Sequence, residues 1–152
     1  MTEVRDKAPA GRAAGPVIWI TGYSGAGKTT VAEATRRLLD EKGQSCVVLD
    51  GDRLRAVLAP DAGHSAEERL RLALTYSRLC KELADQGLTV ICATISMFEE
   101  VWAWNRANMD AYLEVYLRVP LAERAARDPK GLYARNTKDM VGVDVALAEP
   151  TA

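Results

Sequence analysis

Apolar residues along this sequence fall into short β-branched runs separated by longer stretches with helical spacing. The runs at 17–21 (VIWIT), 46–49 (CVVL), 88–94 (LTVICAT) and 112–119 (YLEVYLRV) predict four strands. Between these runs, apolar positions recur every three or four residues, which predicts amphipathic helices. Alternation of strands with helices predicts an α/β fold with a parallel sheet and right-handed crossovers.

The predicted helices cover residues 28–42, 52–58, 65–87, 99–109 and 121–127. Ser65 is the expected N-cap of the third helix, with Glu68 at the spacing of a capping box. The apolar stripe of that helix is Leu72, Tyr76, Leu79, Cys80 and Leu83. The third strand is apolar throughout, as expected for a strand with helices on both faces of its sheet.

Length and composition indicate an ordinary globular chain. With 152 residues, 48% of them hydrophobic and 27% charged, we expect a disordered leader at 1–15 and a single domain at 16–152. The net charge of -1, with both signs interspersed, argues against a broad nucleic-acid or membrane surface. Cys46, Cys80 and Cys92 lack metal-ligand spacing, so we expect buried free thiols and a cytoplasmic location.

The segment from Gly22 to Thr29, GYSGAGKT, matches the phosphate-loop pattern G-x-x-x-x-G-K-[ST] between a predicted strand and a predicted helix. Its glycines let backbone N–H groups face phosphate oxygens, and the helix N-terminus adds partial positive charge. Lys28 is expected to act on the β- and γ-phosphates, and Thr29 to bind Mg²⁺. The expected nucleotide-binding residues here are Gly22, Ser24, Gly25, Ala26, Gly27, Lys28, Thr29 and Thr30.

A phosphate loop leaves the reaction open between a small-molecule kinase and a switch GTPase or ATPase. The third strand ends without the aspartate that switch proteins use for Mg²⁺. The string at 136–139, NTKD, has the wrong order for a guanine-reading motif. We therefore expect a kinase that uses ATP and Mg²⁺, with a non-catalytic nucleotide-binding protein as the alternative.

The turn Asp50-Gly51-Asp52 follows the second strand, at the edge of an open α/β sheet where ligands bind. One aspartate is expected to orient or deprotonate an acceptor hydroxyl, and the other to hold Mg²⁺ through water. With Lys28, Asp50 and Asp52 form the expected catalytic set, and Asp50 joins Thr29 as the expected metal site. An aspartate N-cap of a helix is the alternative interpretation.

A basic segment near the end of the sequence predicts a lid. Its cations are Arg124, Arg127, Lys130, Arg135 and Lys138. Cations that close over phosphates stabilise the charge of a moving phosphoryl group. A solvated charged helix is the alternative.

Four strings together resemble adenylylsulfate (APS) kinases: WITGYSGAGKTT, VVLDGDRLR, KELADQGLTVICATIS and EVYLRVPLAERAARDPKGLY. The resemblance covers residues 17 to about 143. It implies a P-loop kinase fold and phosphorylation of a nucleotide 3′-hydroxyl by MgATP, with Asp52 as the base and Arg127 as a nucleotide-side lid residue. The acceptor-binding residues that we expect are Arg55, Arg69, Ser96, Met97, Phe98 and Lys130.

The sequence departs from APS kinases on the acceptor side. The residues at 72–75, LALT, stand where APS kinases carry Asn-Ile-Arg-Arg, His64 replaces a phenylalanine, and ISPYR has become ISMFE at 95–99. A glutamate beside a sulfate would repel it. The string TISMFEEVWAWNRAN is more similar to a branch from bacterial capsule modification that includes cytidine diphosphoramidate kinase. We therefore favour a cytidine diphosphoramidate-like acceptor over APS, with Phe98 or Trp102 stacking on its base.

The C-terminal region also departs from the family pattern. APS kinases continue past the lid into a fifth strand and a helix, whereas this sequence stops at Ala152. Two interpretations stay open: the C-terminal strand is absent, together with part of the adenine site, or the sequence is truncated or altered. A small-molecule nucleotide acceptor is the expected partner, and a homodimer stays open.

Overall fold

The computed structural model describes residues 13–128, 130–135 and 147–150. Its strands are β1 (Val17–Thr21), β2 (Cys46–Asp50), β3 (Thr89–Ala93) and β4 (Tyr112–Tyr116). Its helices are α1 (Lys28–Glu41), α2 (Gly51–Leu58), α3 (Ala66–Asp85), α4 (Glu99–Asn108) and α5 (Leu121–Arg127). The order and type of these elements confirm the predicted α/β pattern.

The strands form one parallel sheet in the order β2-β3-β1-β4. Val17 at the start of β1 lies opposite Val90 on one side and Tyr112 on the other, so β1 is an inner strand. Because the strands are parallel, their carboxyl ends meet at one edge of the sheet. The phosphate loop after β1 and the acidic turn after β2 therefore reach the same edge.

Side chains of β1 alternate between the two faces of the sheet. Val17 and Trp19 are fully buried in a core cluster with α3 and α4. Ile20 belongs to a second cluster on the other face, with Ala32 of α1. This alternation follows from the two-residue period of a strand, and it confirms helices on both faces.

Helix α3 begins with the expected capping box. The Ser65 hydroxyl accepts from the Glu68 N–H at 3.2 Å, and the Glu68 carboxylate accepts from the Ser65 N–H at 3.3 Å. Leu72, Tyr76 and Cys80 of the predicted stripe are buried. The capping box thus confirms the predicted start of α3, and the buried stripe confirms which face of the helix packs on the core.

Several expected boundaries need correction. The fourth strand ends at Tyr116 and not at 119. The Leu117 N–H still donates to the Thr21 carbonyl at 2.8 Å, and the chain then runs to Pro120, which has no N–H to donate. The third helix stops at Asp85, two residues before Gly87. Cys46 is half-buried, unlike Cys80 and Cys92, because β2 is an outer strand of this sheet.

Two predictions concern segments that the structure does not describe or describes only in part. Residues 1–12 of the expected leader lie outside the described residues, and so does the segment 136–146, which contains Lys138 of the lid. The sheet has four strands within the described ranges. None of the helices in these ranges has the length and apolar character needed to cross a membrane.

Candidate active site

The phosphate loop connects β1 to α1 through glycines with left-handed backbone angles. Gly25 has φ of 79° and Gly27 has φ of 92°, values that L side chains rarely adopt. Gly27 is the N-cap of α1, and no side chain within the described ranges caps this helix. The first N–H groups of α1 are therefore left to bind an anion.

Lys28 lies at the start of α1 with its ammonium turned back over the loop. Its Nζ donates to the Tyr23 carbonyl at 2.8 Å. Burial lowers the pKa of Lys28 to about 8, and the charge of Lys130 contributes, while Asp50 acts in the opposite direction. A phosphate at this position would supply the negative charge that a desolvated ammonium needs.

Asp50 has two structural partners. Its Oδ1 accepts from the N–H groups of Asp52 at 3.0 Å and Arg53 at 3.3 Å, so it is the N-cap of α2. Its Oδ2 accepts from the Thr29 hydroxyl at 3.1 Å. The Asp50 carboxylate is therefore both the N-cap of α2 and a contact of the phosphate loop, as both interpretations predicted.

Thr29 and Asp50 together fit a magnesium ion. Their side chains offer two hard oxygen donors side by side. Mg²⁺ commonly keeps several waters and binds one or two protein oxygens together with substrate phosphates. Within the described residues no group of three or more His, Cys, Asp or Glu could hold a metal, so such an ion would depend on nucleotide phosphates for its remaining ligands.

Asp52 lies in the first turn of α2 and forms an ion pair with Lys130 of the lid. Both side chains are largely exposed, at 71% for Asp52 and 56% for Lys130. The expected base and an expected acceptor-binding residue are therefore in contact with each other. An exposed pair of this kind is held weakly, so it can separate when an acceptor enters.

Arg124, the first cation of the predicted lid, is buried beside the phosphate loop. It is 4% exposed, its Nε donates to the Val119 carbonyl at 3.0 Å and its Nη1 to the Tyr133 hydroxyl at 3.1 Å. Its guanidinium also lies 4.5 Å from the centre of the Tyr23 ring. The alternative of a solvated charged helix does not describe Arg124, because α5 packs directly on the phosphate loop.

Beside the loop lies an open pocket of about 370 Å³. Its lining residues are Ala26, Gly27, Thr30, Val31, Tyr116, Leu117, Arg118, Val119 and Arg127. Four of the residues expected to bind nucleotide are thus on one pocket wall. Arg127 reaches it from the last turn of α5, where it also pairs with Glu123 at 3.5 Å.

The two arginines expected to bind the acceptor lie on α2 and α3. The Arg55 guanidinium donates to the carbonyls of Ala62, at 2.6 Å, and of Gly63. It therefore supports the loop between α2 and α3. Arg69 lies half-buried in the first part of α3.

The loop 94–98 carries the remaining expected acceptor residues. Ser96 has a left-handed φ of 28°, and its hydroxyl is 2.8 Å from that of Thr94. Phe98 is half-buried against the core on the α3 and α4 side. Met97 has no exposed surface, so it is a core residue in this arrangement and we leave it out of the proposed acceptor site.

Trp102 is also a core residue, at 3% exposed, whereas Trp104 is only partly buried. The two lie on different faces because they are two residues apart on a helix. Trp102 is therefore not placed to stack on a base. Phe98 is the better exposed of the two aromatic candidates.

Three further residues near the site were not among the expected site residues, although Gly51 and Tyr133 lie in the strings LDGD and RDPKGLY that carry the family resemblance. Tyr76, taken only as part of an apolar stripe, donates its hydroxyl to the Gly51 carbonyl at 3.1 Å, and burial raises its pKa to about 12. A Cβ on Gly51 would lie 2.7 Å from the Thr94 hydroxyl oxygen, so glycine allows the acidic turn to approach β3. Tyr133 contacts the phosphate loop from a segment 109 residues away.

A parallel sheet with a phosphate loop after β1 and an acidic turn after β2 defines a P-loop protein of the nucleotide-kinase type. The sequence profile described as adenylylsulphate kinase matches residues 14–152. The chain belongs to the adenylylsulfate kinase family and is an ATP-dependent kinase.

Curated relatives with different names are equally similar to this chain. Cytidine diphosphoramidate kinase of Campylobacter jejuni is 39% identical over 140 residues, which cover 90% of this chain and 82% of the relative. A probable adenylyl-sulfate kinase of Archaeoglobus fulgidus is 38% identical over 138 residues, covering 88% and 89%. The Mycobacterium tuberculosis APS kinase CysC, solved with AMPPNP and APS, superposes with a TM-score of 0.85 at 38% identity, covering 92% and 86%.

Proposed function

We propose that this kinase phosphorylates the ribose 3′-hydroxyl of an anionic, nucleotide-linked acceptor. The acceptor that we favour is similar to cytidine diphosphoramidate. The observation that carries the proposal is the character of the acceptor side. Leu72 is 9% exposed and packs in the core, where Leu74 joins it, and Glu99 is exposed at the start of α4. Because Leu72 and Leu74 pack in the core and Glu99 is acidic, these positions offer a sulfate neither a hydrogen-bond donor nor a positive charge.

The chemistry divides between the two ends of the site. Loop N–H groups and Lys28 bind the phosphates of ATP, and Thr29 with Asp50 would hold Mg²⁺, which neutralises phosphate charge when bound. Asp52 receives the proton of the acceptor hydroxyl as that oxygen attacks the γ-phosphorus, the bond from this phosphorus to the bridging β–γ oxygen breaks, and ADP leaves. Lys130, released from Asp52, offers its ammonium to the acceptor or to the phosphoryl group in transfer.

A lost buried hydrogen bond to a charged group costs about 1.5–3 kcal/mol, or roughly ten- to a hundredfold in affinity. Leu72, Leu74 and Glu99 stand where APS kinases carry polar or basic residues. Two such losses would make APS a poor acceptor.

APS is the second candidate, and a specific observation favours it as well. Relatives named adenylyl-sulfate kinase are as similar to this chain as the diphosphoramidate kinase, at 38% against 39% identity. Arg55 and Arg69, which resemble acceptor-binding arginines of APS kinases, are kept. A direct comparison of acceptors is therefore the decisive experiment.

That experiment measures kcat/KM with labelled ATP for APS and for CDP-linked phosphoramidate under one set of conditions. We expect the CDP-linked acceptor to be preferred by about tenfold or more. A preference for APS of that size would establish an APS kinase instead. Nucleotide binding without a phosphorylated product from any acceptor would indicate the non-catalytic alternative.

A charge swap tests the reason for the preference. Glu99→Arg should raise kcat/KM for APS, because it replaces a repelling charge with an attracting one. Glu100→Arg is the matched control, since Glu100 is exposed in the same first turn of α4. Equal effects of the two substitutions would mean that Glu99 has no special place beside the acceptor. The small-molecule acceptor and the cytoplasmic location stay predictions, and a homodimer stays open.

A further inference from the structure

Arg124 is a buried cation with neutral partners. It is 4% exposed, and within the described ranges its contacts are a backbone carbonyl, a tyrosine hydroxyl and the ring of Tyr23. No carboxylate among those residues forms an ion pair with it. Because burying a charge without an opposite charge is costly, a residue of this kind calls for a reason beyond packing.

The partners of Arg124 belong to the phosphate loop. Tyr133, which accepts from Arg124, donates its own hydroxyl to the Ser24 carbonyl at 2.8 Å. Tyr23, under the guanidinium, precedes Ser24 and also provides the carbonyl that holds Lys28. We call this set of three residues, Arg124, Tyr133 and Tyr23, the clasp.

The backbone shows the same close approach. A Cβ on Gly25 would lie 3.1 Å from the Arg124 carbonyl oxygen and 3.4 Å from its Cβ. The phosphate loop therefore lies in close contact with α5 at Gly25, whose left-handed φ of 79° also favours glycine. The position of α5 and the shape of the loop depend on each other.

The clasp also reaches the acceptor side. The Asp128 carboxylate accepts from the N–H groups of Tyr133 at 3.2 Å and Ala134 at 2.9 Å, which closes the turn that carries Lys130. Lys130 in turn pairs with Asp52. One continuous set of contacts thus runs from the phosphate loop to the expected base.

We propose that Arg124 is a positioning residue that, through Tyr133, fixes the lid turn on the phosphate loop and so sets the loop for the nucleotide phosphates. The proposal rests on the proposed function for its ligand, a nucleoside di- or triphosphate. The charge of Arg124 is balanced when those phosphates occupy the loop. Arg124 acts through Tyr23 and Ser24 and does not itself need to touch a phosphate.

The experiment is a double-mutant cycle on the Kd for MgADP, measured by calorimetry for Arg124→Met, Tyr133→Phe and the double variant. Loss of a bond to the buried charge should weaken binding about tenfold in each single variant. The double variant should also lose about tenfold, not a hundredfold, because both residues act as one unit. Arg78→Met, an exposed arginine of α3, is the matched control and should bind as the parent does.

Two readouts separate positioning from a general loss of stability. Arg124→Lys, which keeps the charge without the flat guanidinium, should bind MgADP with intermediate affinity. A lower Tm with unchanged Kd in Tyr133→Phe would overturn the proposal, as would strictly additive losses. Because MgADP binding needs no acceptor, this test stands even if no proposed acceptor is phosphorylated.

Discussion

The donor side and the acceptor side of this site are built in different ways. The donor side is one continuous segment, residues 22–30, whose backbone angles and helix N-terminus are suited to bind an anion. The acceptor side draws on α2, α3, the loop 94–98 and the lid turn. A short loop leaves few alternatives for the directions of its backbone N–H groups. The positions of side chains from separate segments depend instead on how those segments pack.

The two sides also differ in how closely the positions of their expected residues match the prediction. Lys28 and Thr29 lie where a phosphate-loop pattern requires them, at the start of α1. On the acceptor side, Met97 is in the core, Arg55 holds a loop, and Lys130 pairs with Asp52. Sequence therefore predicts the geometry of a backbone motif better than the geometry of a pocket lined by side chains.

The largest effect should come from the donor side. Lys28→Ala should reduce kcat by about 10²–10³-fold or more, because it removes a preorganised charge from the transferring phosphate. Its Tm should not fall, since the ammonium is desolvated and contributes no apolar packing. Activity assays and thermal unfolding beside Lys42→Ala, an exposed lysine at the end of α1, provide the measurement. An unchanged turnover rate would refute the kinase mechanism.

Asp52→Asn tests the acceptor side. A positioned general base contributes about 10²–10⁴-fold, so kcat should fall by that factor with little change in the Kd for MgATP. Asp110→Asn, an exposed aspartate between α4 and β4, is the control. If MgATP binding collapses while single-turnover chemistry is preserved, Asp52 is a binding residue and the division between the two sides is wrong.

The pH dependence of nucleotide binding should also come from the donor side. The pKa of Lys28 is about 8 in the structure, and bound phosphates will raise it. Below that pKa the lysine is already protonated, and above it binding must take up a proton. The Kd for MgADP should therefore rise about tenfold per pH unit above the free-protein pKa.

Calorimetry in buffers of different ionisation enthalpy measures this proton uptake directly. Lys28→Arg is the informative variant, because arginine stays charged throughout the range. Whatever affinity it retains should be independent of pH in this window. The same slope in Lys28→Arg would assign the titration to another group.

The smallest effect should come from the scaffold of the acceptor side. Ser65→Ala removes the capping-box hydroxyl and should cost about 1 kcal/mol of unfolding free energy, seen as a lower midpoint in chemical denaturation. Ser65→Asp, which keeps a capping oxygen, should retain most of the stability. The Ser65 hydroxyl contacts Glu68, while the bond from the Arg69 N–H goes to the Ser65 backbone carbonyl, which the substitution keeps. We therefore expect kcat not to change. A loss of kcat without loss of stability would move Ser65 into the site.

The sequence predicted the order of the elements and the donor loop because both depend on short-range patterns. A short β-branched and aromatic run predicted β1 with its observed bounds, and the capping box at Ser65 was predicted from two residues. Strand ends were less well predicted. The last residues of the expected fourth strand leave the sheet after a single further bond from Leu117.

Local patterns alone determined that this chain folds as a parallel α/β kinase with a phosphate loop, since each signal lies within a few neighbouring residues. Only the tertiary structure decided that Arg124 is buried against Tyr23, that Tyr133 reaches Ser24, and that Met97 faces the core. These contacts join residues up to 109 positions apart. Their partners are chosen by how α5 and the lid turn pack on the loop, and no spacing along the chain encodes that choice.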